Sequence, residues 1–170
     1  MGHKLGIDFG TTNSVIARWD DDKQDSEVIL IDGLSDTSDK NLPPVVPSLL
    51  YVNDGQKRVI TCGVNVRLQG LDNQQNNRLF RNFKRGIVST PAPEPRKIDE
   101  TDWADKDAGR AFVKHLIHSL PYKNDEIDQL VLTAPVASFE GYLAWLNSVI
   151  DEVSLLDKIR VVDESTAAAL

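Results

Sequence analysis

The sequence has very little cysteine and no long apolar run. Its 170 residues include one cysteine, Cys62, so an internal disulfide is excluded and the lone thiol fits a reducing compartment. A run of about 18 apolar residues is absent, as is a signal-peptide pattern, which predicts a cytoplasmic protein with no membrane partner. Hydrophobic residues make up 41% of the chain, enough for one good core.

Positive charge is also scarce. The formal net charge is −7, which argues against nucleic acid as the main partner. The charge is unevenly distributed, because residues 57–97 hold nine basic residues against two acidic ones and the rest therefore carries −14. This locally positive segment requires an explanation.

The most informative stretch is residues 4–19, KLGIDFGTTNSVIARW. Alternating apolar and polar residues predict a half-buried strand, and a more continuous apolar run predicts a second strand after it. Between them lies a short turn of glycine and small polar residues, which allows close backbone approach and offers hydroxyl and N–H groups to an anion. Asp8 precedes this turn, and an acid beside a phosphate makes sense only with a metal ion or its waters in between. The alternative interpretation is an ordinary hairpin turn.

The remaining chain predicts alternating strands and helices. The predicted elements are a third strand at 28–31, a hairpin of strands 49–52 and 59–62, a short helix within 63–70, one or two helical turns at 78–86, a helix capped by Thr101 or Asp102, a strand at 128–133, a helix capped by Ser138, a strand at 159–162 and a helix that begins at 163. His115 and His118 are interpreted as helix-surface residues, because no third metal ligand is near them.

This order predicts an α/β fold with a mixed five-stranded sheet and helices packed on it. Three antiparallel strands come first and a β-α-β unit follows. Asp8, Pro135 and Glu164 then lie at strand ends, where ligands bind in open α/β sheets.

Four segments resemble one family. Residues 6–14 (GIDFGTTNS) resemble the first phosphate loop of the DnaK-type (70-kDa heat-shock) chaperones, members of the actin and sugar-kinase ATPase superfamily. Residues 46–51 resemble the family's threonine-proline-serine strand, and residues 79–85 resemble the segment with its catalytic lysine. Residues 163–170 resemble its asparagine-glutamate-proline-threonine-alanine connecting motif. These matches occur in the same order as in the family and together span nearly the whole chain.

The resemblance implies the first lobe of an actin-like, ribonuclease H-like ATPase domain. Its core would comprise residues 4–40 and 125–170, and a small outer subdomain would comprise residues 41–124. The family's second phosphate loop, adenosine-binding loop and substrate-binding domain would lie beyond Leu170, so the chain is expected to be a truncated half of an ATP cleft. Alone it would bind nucleotide weakly at most and show negligible ATPase activity.

The same resemblance implies a role for each candidate site residue, with ATP or ADP and Mg²⁺ as cofactors. The implied roles are phosphate binding by Gly10, Thr11, Thr12 and Asn13, contact with hydrated Mg²⁺ by Asp8, orientation of the attacking water and neutralisation of the γ-phosphate by Lys84, ordering of metal-bound water or relay of nucleotide state by Glu164, and an allosteric switch at Pro135. In the full-length protein, unfolded client proteins and co-chaperones would be the partners.

Two departures from the family pattern keep other functions open. Leu143 or Ala144 stands where the family has an arginine, and valines 45 and 46 stand where threonines are usual. The alternatives are therefore a filament or scaffold protein of the actin superfamily and a degenerate lobe that acts as an interaction module. Nucleic-acid binding through residues 57–97 is the weakest alternative, because the basic cluster lacks interleaved tyrosine and tryptophan.

Overall fold

The computed structural model describes residues 2–135, 139–153 and 156–164. The strands are β1 (His3–Asp8), β2 (Asn13–Asp20), β3 (Asp25–Val28), β4 (Val46–Pro47), β5 (Leu49–Asp54), β6 (Val59–Cys62), β7 (Leu79–Arg81), β8 (Arg96–Ile98), β9 (Thr101–Trp103), β10 (Ile127–Ala134) and β11 (Ile159–Asp163). The α-helices are α1 (Val64–Leu68), α2 (Phe83–Gly86), α3 (Asp105–His118) and α4 (Phe139–Ile150), and single 3-10 turns occupy Leu71–Asn73, Asn124–Glu126 and Leu156–Lys158.

The main sheet is mixed, as the sequence predicts, and has the order β11-β10-β1-β2-β3. β1 is antiparallel to β2 and parallel to β10, which is in turn parallel to β11. The prediction of five strands is wrong by one, because β4 also pairs with β2 and makes the sheet six-stranded. β4 comes from the proline-rich stretch and has only two residues, which suits proline at the margin of a sheet.

The core lies where helices cover one face of the main sheet. Leu5, Ile7 and Phe9 alternate along the chain and are each at most 3% exposed. The Phe9 ring stacks on Phe112 of α3 at a centroid distance of 5.7 Å and lies 6.5 Å from Trp145 of α4. Two smaller sheets, β6-β5-β7 and β8-β9, add buried side chains to the same hydrophobic cluster. The division into a core and an outer subdomain stays a prediction.

The third strand was predicted at residues 28–31 from its apolar run, and this prediction is wrong. β3 spans Asp25–Val28, because the four-residue turn after Asp20 pairs Asp20 with Asp25 and fixes the register. Ile31 instead lies in a turn, where its N–H donates to the Ser35 hydroxyl at 2.9 Å and its side chain is buried.

Two helix predictions also need correction. The first half of residues 78–86 is β7, which pairs with β5, and helix α2 follows only from Phe83. Thr101 and Asp102 lie in β9 rather than at a helix start. The fully buried Trp103 donates its indole N–H to the Gly55 carbonyl and holds this segment extended, so α3 starts at Asp105.

Other predicted elements are confirmed, namely the hairpin of β5 and β6, the short helix α1 and the strands β10 and β11. The predicted Ser138 cap and all but the first two residues of the helix predicted from 163 fall outside the described residues. Within the described ranges, no helix has both the length and the apolar composition needed to cross a bilayer.

Candidate functional site

The parallel arrangement of β1, β10 and β11 brings three predicted site residues to one edge of the sheet. Asp8 ends β1, Pro135 follows β10 and Glu164 follows β11, so all three lie at the carboxyl ends of adjacent strands. The Thr133 hydroxyl of β10 donates to Asp8 Oδ1 at 2.7 Å, which orients the exposed Asp8 carboxylate. Open α/β sheets bind ligands at this kind of edge.

The turn between β1 and β2 is held in place by a segment far along the chain. The Ser48 hydroxyl donates to the Gly10 carbonyl at 2.8 Å, and the Ser48 N–H donates to the Thr12 carbonyl at 2.8 Å. The Ser14 and Ser48 hydroxyl oxygens lie 3.1 Å apart, and both side chains are buried. A Cβ on Gly10 would overlap the Asn13 carbonyl oxygen, so the turn requires glycine.

The predicted phosphate-binding residues are accessible. Thr12 and Asn13 are exposed, Thr11 is half-buried, and a cavity of about 210 Å³ opens beside Thr12 and Asn13. Asp36 and Arg67 line the same cavity and bond to each other at 3.0 Å. Sequence reasoning missed Ser14 and Ser48 as the residues that fix this turn, although the motif at residues 46–51 includes Ser48.

Lys84 reaches this edge because of a sharp change of direction after β7. Asn82 has a left-handed backbone conformation, with φ of 58°, which asparagine tolerates better than most residues. It starts the short helix α2, whose Phe83 is 1% exposed and packs edge-to-face on Phe112 at 5.6 Å. This buried anchor fixes the position of the adjacent Lys84.

The Lys84 ammonium is buried and has one carboxylate partner in the described part of the chain. The side chain is 8% exposed, and Nζ donates to Glu164 Oε1 at 2.7 Å. Nζ also lies 5.4 Å from the ring centroid of Phe9 and 5.6 Å from that of Tyr142, so two aromatic faces complement its charge. The structure therefore joins Lys84 and Glu164, which are 80 residues apart in sequence.

Not all predicted site residues are directly connected. Among the described residues, no hydrogen bond or ion pair links Lys84 to Asp8 or to residues 10–13. Pro135 is half-buried at the end of β10. Phe9 is the structural bridge, because it lies between Asp8 and Gly10 in the chain and its ring faces Lys84.

Tyr142 of α4 is a further residue at this edge, and the sequence analysis did not identify it as a candidate site residue. It is 0% exposed, and its hydroxyl has no hydrogen-bond partner in the described ranges. Burial raises the pKa of Tyr142, and the negative charges of Glu164 and Asp8 raise it further. Its place on the apolar face of α4 gave no signal of this environment.

The positive charge of residues 57–97 has mostly structural uses. Arg78 donates to both carboxylate oxygens of Asp99 and to the carbonyls of Val52 and Asn53. The Arg96 guanidinium lies 4.0 Å from the Phe80 ring centroid. Lys84 alone therefore does not account for the positive charge of this segment, because Arg78 and Arg96 tie the smaller sheets together.

A second cavity, of about 520 Å³, lies between β6 and α3. The α3 side chains that line it include His115 and His118. Its cations Arg110 and Lys114 are bound to Glu152. In the ranges that the structure describes, no group of three or more histidine, cysteine, aspartate or glutamate side chains is arranged to hold a metal.

Burial raises the pKa of Cys62 to about 12, which makes its thiol unreactive.

The fold and site together define a mixed α/β protein with a glycine-containing turn, an oriented carboxylate and a buried lysine at one sheet edge. No family model matches the chain. Over an alignment of 190 positions that covers 100% of this chain, it is 26% identical to the chaperone protein dnaK of Phaeodactylum tricornutum (strain CCAP 1055/1). The chain spans 29% of the length of that relative. The similarity to a DnaK chaperone is thus distant and extends along the whole chain.

Proposed function

We propose that this chain forms one wall of the Mg-nucleotide cleft of a DnaK-like, ATP-dependent chaperone. The observation that carries the proposal is the buried Lys84 ammonium at the carboxyl edge of the sheet, beside the ring that precedes the Gly10 turn. A lysine held there by one half-exposed carboxylate is available to an incoming phosphate. The distant similarity to dnaK along the whole chain supports the same function.

The donor set fits a hydrated magnesium ion. Mg²⁺ usually binds one or two carboxylates, substrate phosphates and several waters, so it does not require a cage of protein ligands. Thr133 bonds one oxygen of Asp8 and leaves the other for a metal-bound water, and Glu164 lies at the same edge. Bound Mg²⁺ would neutralise charge on the phosphates.

The chain's own residues would then position the phosphates. The backbone N–H groups and hydroxyls of Thr11, Thr12 and Asn13 would hold phosphate oxygens, with the turn fixed by Ser48. Lys84 would leave Glu164 for the terminal phosphate of the nucleotide, which in ADP is the β-phosphate. With ATP it would neutralise the γ-phosphate and orient the attacking water. The ATPase activity would belong to the longer protein, with a second lobe completing the cleft.

A non-catalytic interaction module is the second candidate function. The observation that favours it is the absence of an arginine at this place in α4. The family resemblance leads us to expect one at position 143 or 144, where the structure has a half-buried Leu143 and an exposed Ala144. Without that guanidinium, coupling of nucleotide state to a peptide-binding domain would need other residues.

Calorimetric titration with Mg-ADP tests the proposal. The ligand is added to the longest product of the reading frame that encodes this chain, to its Lys84→Ala variant and to the 170-residue chain. We expect binding by the long product, a loss of at least tenfold in affinity for Lys84→Ala and little binding by the short chain. Arg85→Ala is the matched control, because Arg85 is an exposed cation in the same helix. A folded long product that does not bind Mg-ADP would favour the interaction module.

A further inference from the structure

The Tyr142 hydroxyl is an exception to the pairing of buried polar groups. The whole side chain is 0% exposed, and the structure shows no hydrogen-bond partner for its oxygen among residues 2–135, 139–153 and 156–164. Buried polar atoms are normally paired, because an unpaired one loses its bonds to water without replacement. Such an atom next to a candidate site indicates a partner that arrives in another state.

The neighbours of Tyr142 identify that partner. Lys84 Nζ lies 5.6 Å from the Tyr142 ring centroid, and Glu164 Oε1 lies 2.7 Å from the same Nζ. Glu164 is the carboxylate that, after burial, contributes most to the raised pKa of Tyr142. The Tyr142 ring and the Glu164 carboxylate are therefore both neighbours of one ammonium group.

Phosphate binding would break the present pairing. A bound phosphate would compete with Glu164 for the Lys84 ammonium, so a Lys84 that turns to the phosphate leaves the Glu164 carboxylate open to another donor. Its side chain is 43% exposed, so water is available, but a hydroxyl already fixed in place costs no further ordering. Tyr142 supplies a neutral donor, because its pKa is raised by burial.

We propose that Tyr142 is a positioning residue whose hydroxyl donates to Glu164 when Lys84 turns to the phosphate of a bound nucleotide. The inference rests on the proposed function. In the described ranges Lys84 and Glu164 are paired and the hydroxyl has no partner, whereas with nucleotide bound all three groups would have partners. Tyr142 acts through Glu164 and does not itself contact the nucleotide.

Tyr142→Phe in the longest product of the reading frame tests this exchange. Removal of an unpaired buried hydroxyl should leave the melting temperature of the free protein unchanged or raise it. Loss of the bond to Glu164 in the bound state should weaken Mg-ADP binding about tenfold. Mg-ADP should therefore raise the melting temperature of the variant less than that of the parent.

Tyr51→Phe is the matched control for removing a tyrosine hydroxyl. The Tyr51 hydroxyl donates to Gln74 Oε1 at 2.7 Å and accepts from Asn76 Nδ2 at 3.0 Å, and Tyr51 lies in β5. Its removal should lower the melting temperature and leave the Mg-ADP affinity unchanged. Tyr142→Phe is thus expected to weaken binding without a loss of stability, and Tyr51→Phe to lower stability without a loss of binding.

A double-mutant cycle tests whether Tyr142 acts through Glu164. In a Glu164→Ala background, Tyr142→Phe should cause no further loss of Mg-ADP affinity. Equal losses in both backgrounds would overturn the exchange, as would unchanged affinity of Tyr142→Phe in a parent that binds Mg-ADP. If the folded parent itself does not bind, the proposed function fails and the exchange fails with it, so the two failures are distinguishable.

Discussion

Lys84 and Arg78 come from the same positively charged segment, but their surroundings differ. Arg78 is bonded to both oxygens of Asp99 and to the carbonyls of Val52 and Asn53. Asp99 is also fixed by the Gly55 N–H at 2.8 Å. Lys84 has one carboxylate partner in the part of the chain that the structure describes, from a residue 80 positions away and 43% exposed.

The difference separates a structural cation from one available for binding. Arg78 satisfies fixed backbone groups, so any movement would remove a donor from the Val52 and Asn53 carbonyls and from Asp99. Lys84 can exchange Glu164 for another anion at little cost to the surrounding backbone, since its described hydrogen bond is to a side chain. The number and rigidity of partners, rather than the local density of charge, therefore indicate which basic residue is the candidate for chemistry.

The largest expected effect would come from breaking the turn beside Lys84. Gly10→Ala places a Cβ against the Asn13 carbonyl oxygen, so the backbone of the turn must move. We expect a loss of about 3 kcal/mol in the free energy of unfolding, measured by urea titration, together with lost Mg-ADP binding in the long product. Gly6→Ala in β1 is the control, because a Cβ there meets no atom within 4 Å. Similar stability losses in both variants would show that the turn is not specially constrained.

Matched methionine substitutions test the comparison directly. Arg78→Met should lower the free energy of unfolding by about 1.5 kcal/mol, because two backbone carbonyls and Asp99 lose their donor, and should leave Mg-ADP affinity unchanged. Lys84→Met should change stability by less than about 0.5 kcal/mol, since a methionine fills the space between two aromatic rings, and should reduce affinity. Urea titration and calorimetry on both proteins give these values. If Arg78→Met instead reduced the Mg-ADP affinity and Lys84→Met reduced the free energy of unfolding, Arg78 would be the binding cation.

The smallest expected effect concerns acid stability. The hydrogen bonds from Arg78 hold the pKa of Asp99 below its usual value, so the ionised form stabilises the folded state at neutral pH. This contribution is present above the unfolded pKa of about 4 and is lost as the pH falls through the lower pKa of the folded state. Asp99→Asn should therefore have a flatter decline in the urea midpoint below about pH 4 than the parent.

Glu94→Gln is the control for that acid titration, because Glu94 is an exposed acid with no ion pair among the described residues. It should follow the parent. Identical declines in the parent and in Asp99→Asn would show that the Arg78 network does not contribute to the pH dependence.

Much of the main sheet was predictable because its signals are local. The alternation in β1 and the glycine-containing turn after it define a hairpin without further information. β3 was misplaced because the turn geometry, rather than the apolar run at residues 28–31, sets its register. β7 and β9 were missed because each has only three residues and is extended through pairing or a buried tryptophan that sequence spacing does not show.

For the candidate site, the sequence motifs predicted individual residues but not the long-range contacts that hold them. The positions of Asp8, Lys84 and Glu164 came from motifs, and the structure brings the last two together. The Ser48 contact with Gly10 and the Thr133 contact with Asp8 join segments 38 and 125 residues apart, so no pattern within either segment contains them. That the Tyr142 hydroxyl has no hydrogen-bond partner in the described part of the chain depends on its three-dimensional surroundings alone.

The pairing of β1 with β10 has a consequence for the order of folding. His3 of β1 lies opposite Ile127, so the central strand of the sheet cannot gain its parallel neighbour until most of the chain has left the ribosome. Contacts this distant in sequence raise the contact order and slow folding, because a long loop must lose conformational entropy before the stabilising contacts form. The residues of the turn after β1 are therefore synthesised before β10 and β11, and β11 is the strand that brings Glu164 to Lys84. A nascent chain that stops before β10 would display the apolar face of its first hairpin, a target for aggregation or for a ribosome-bound folding factor.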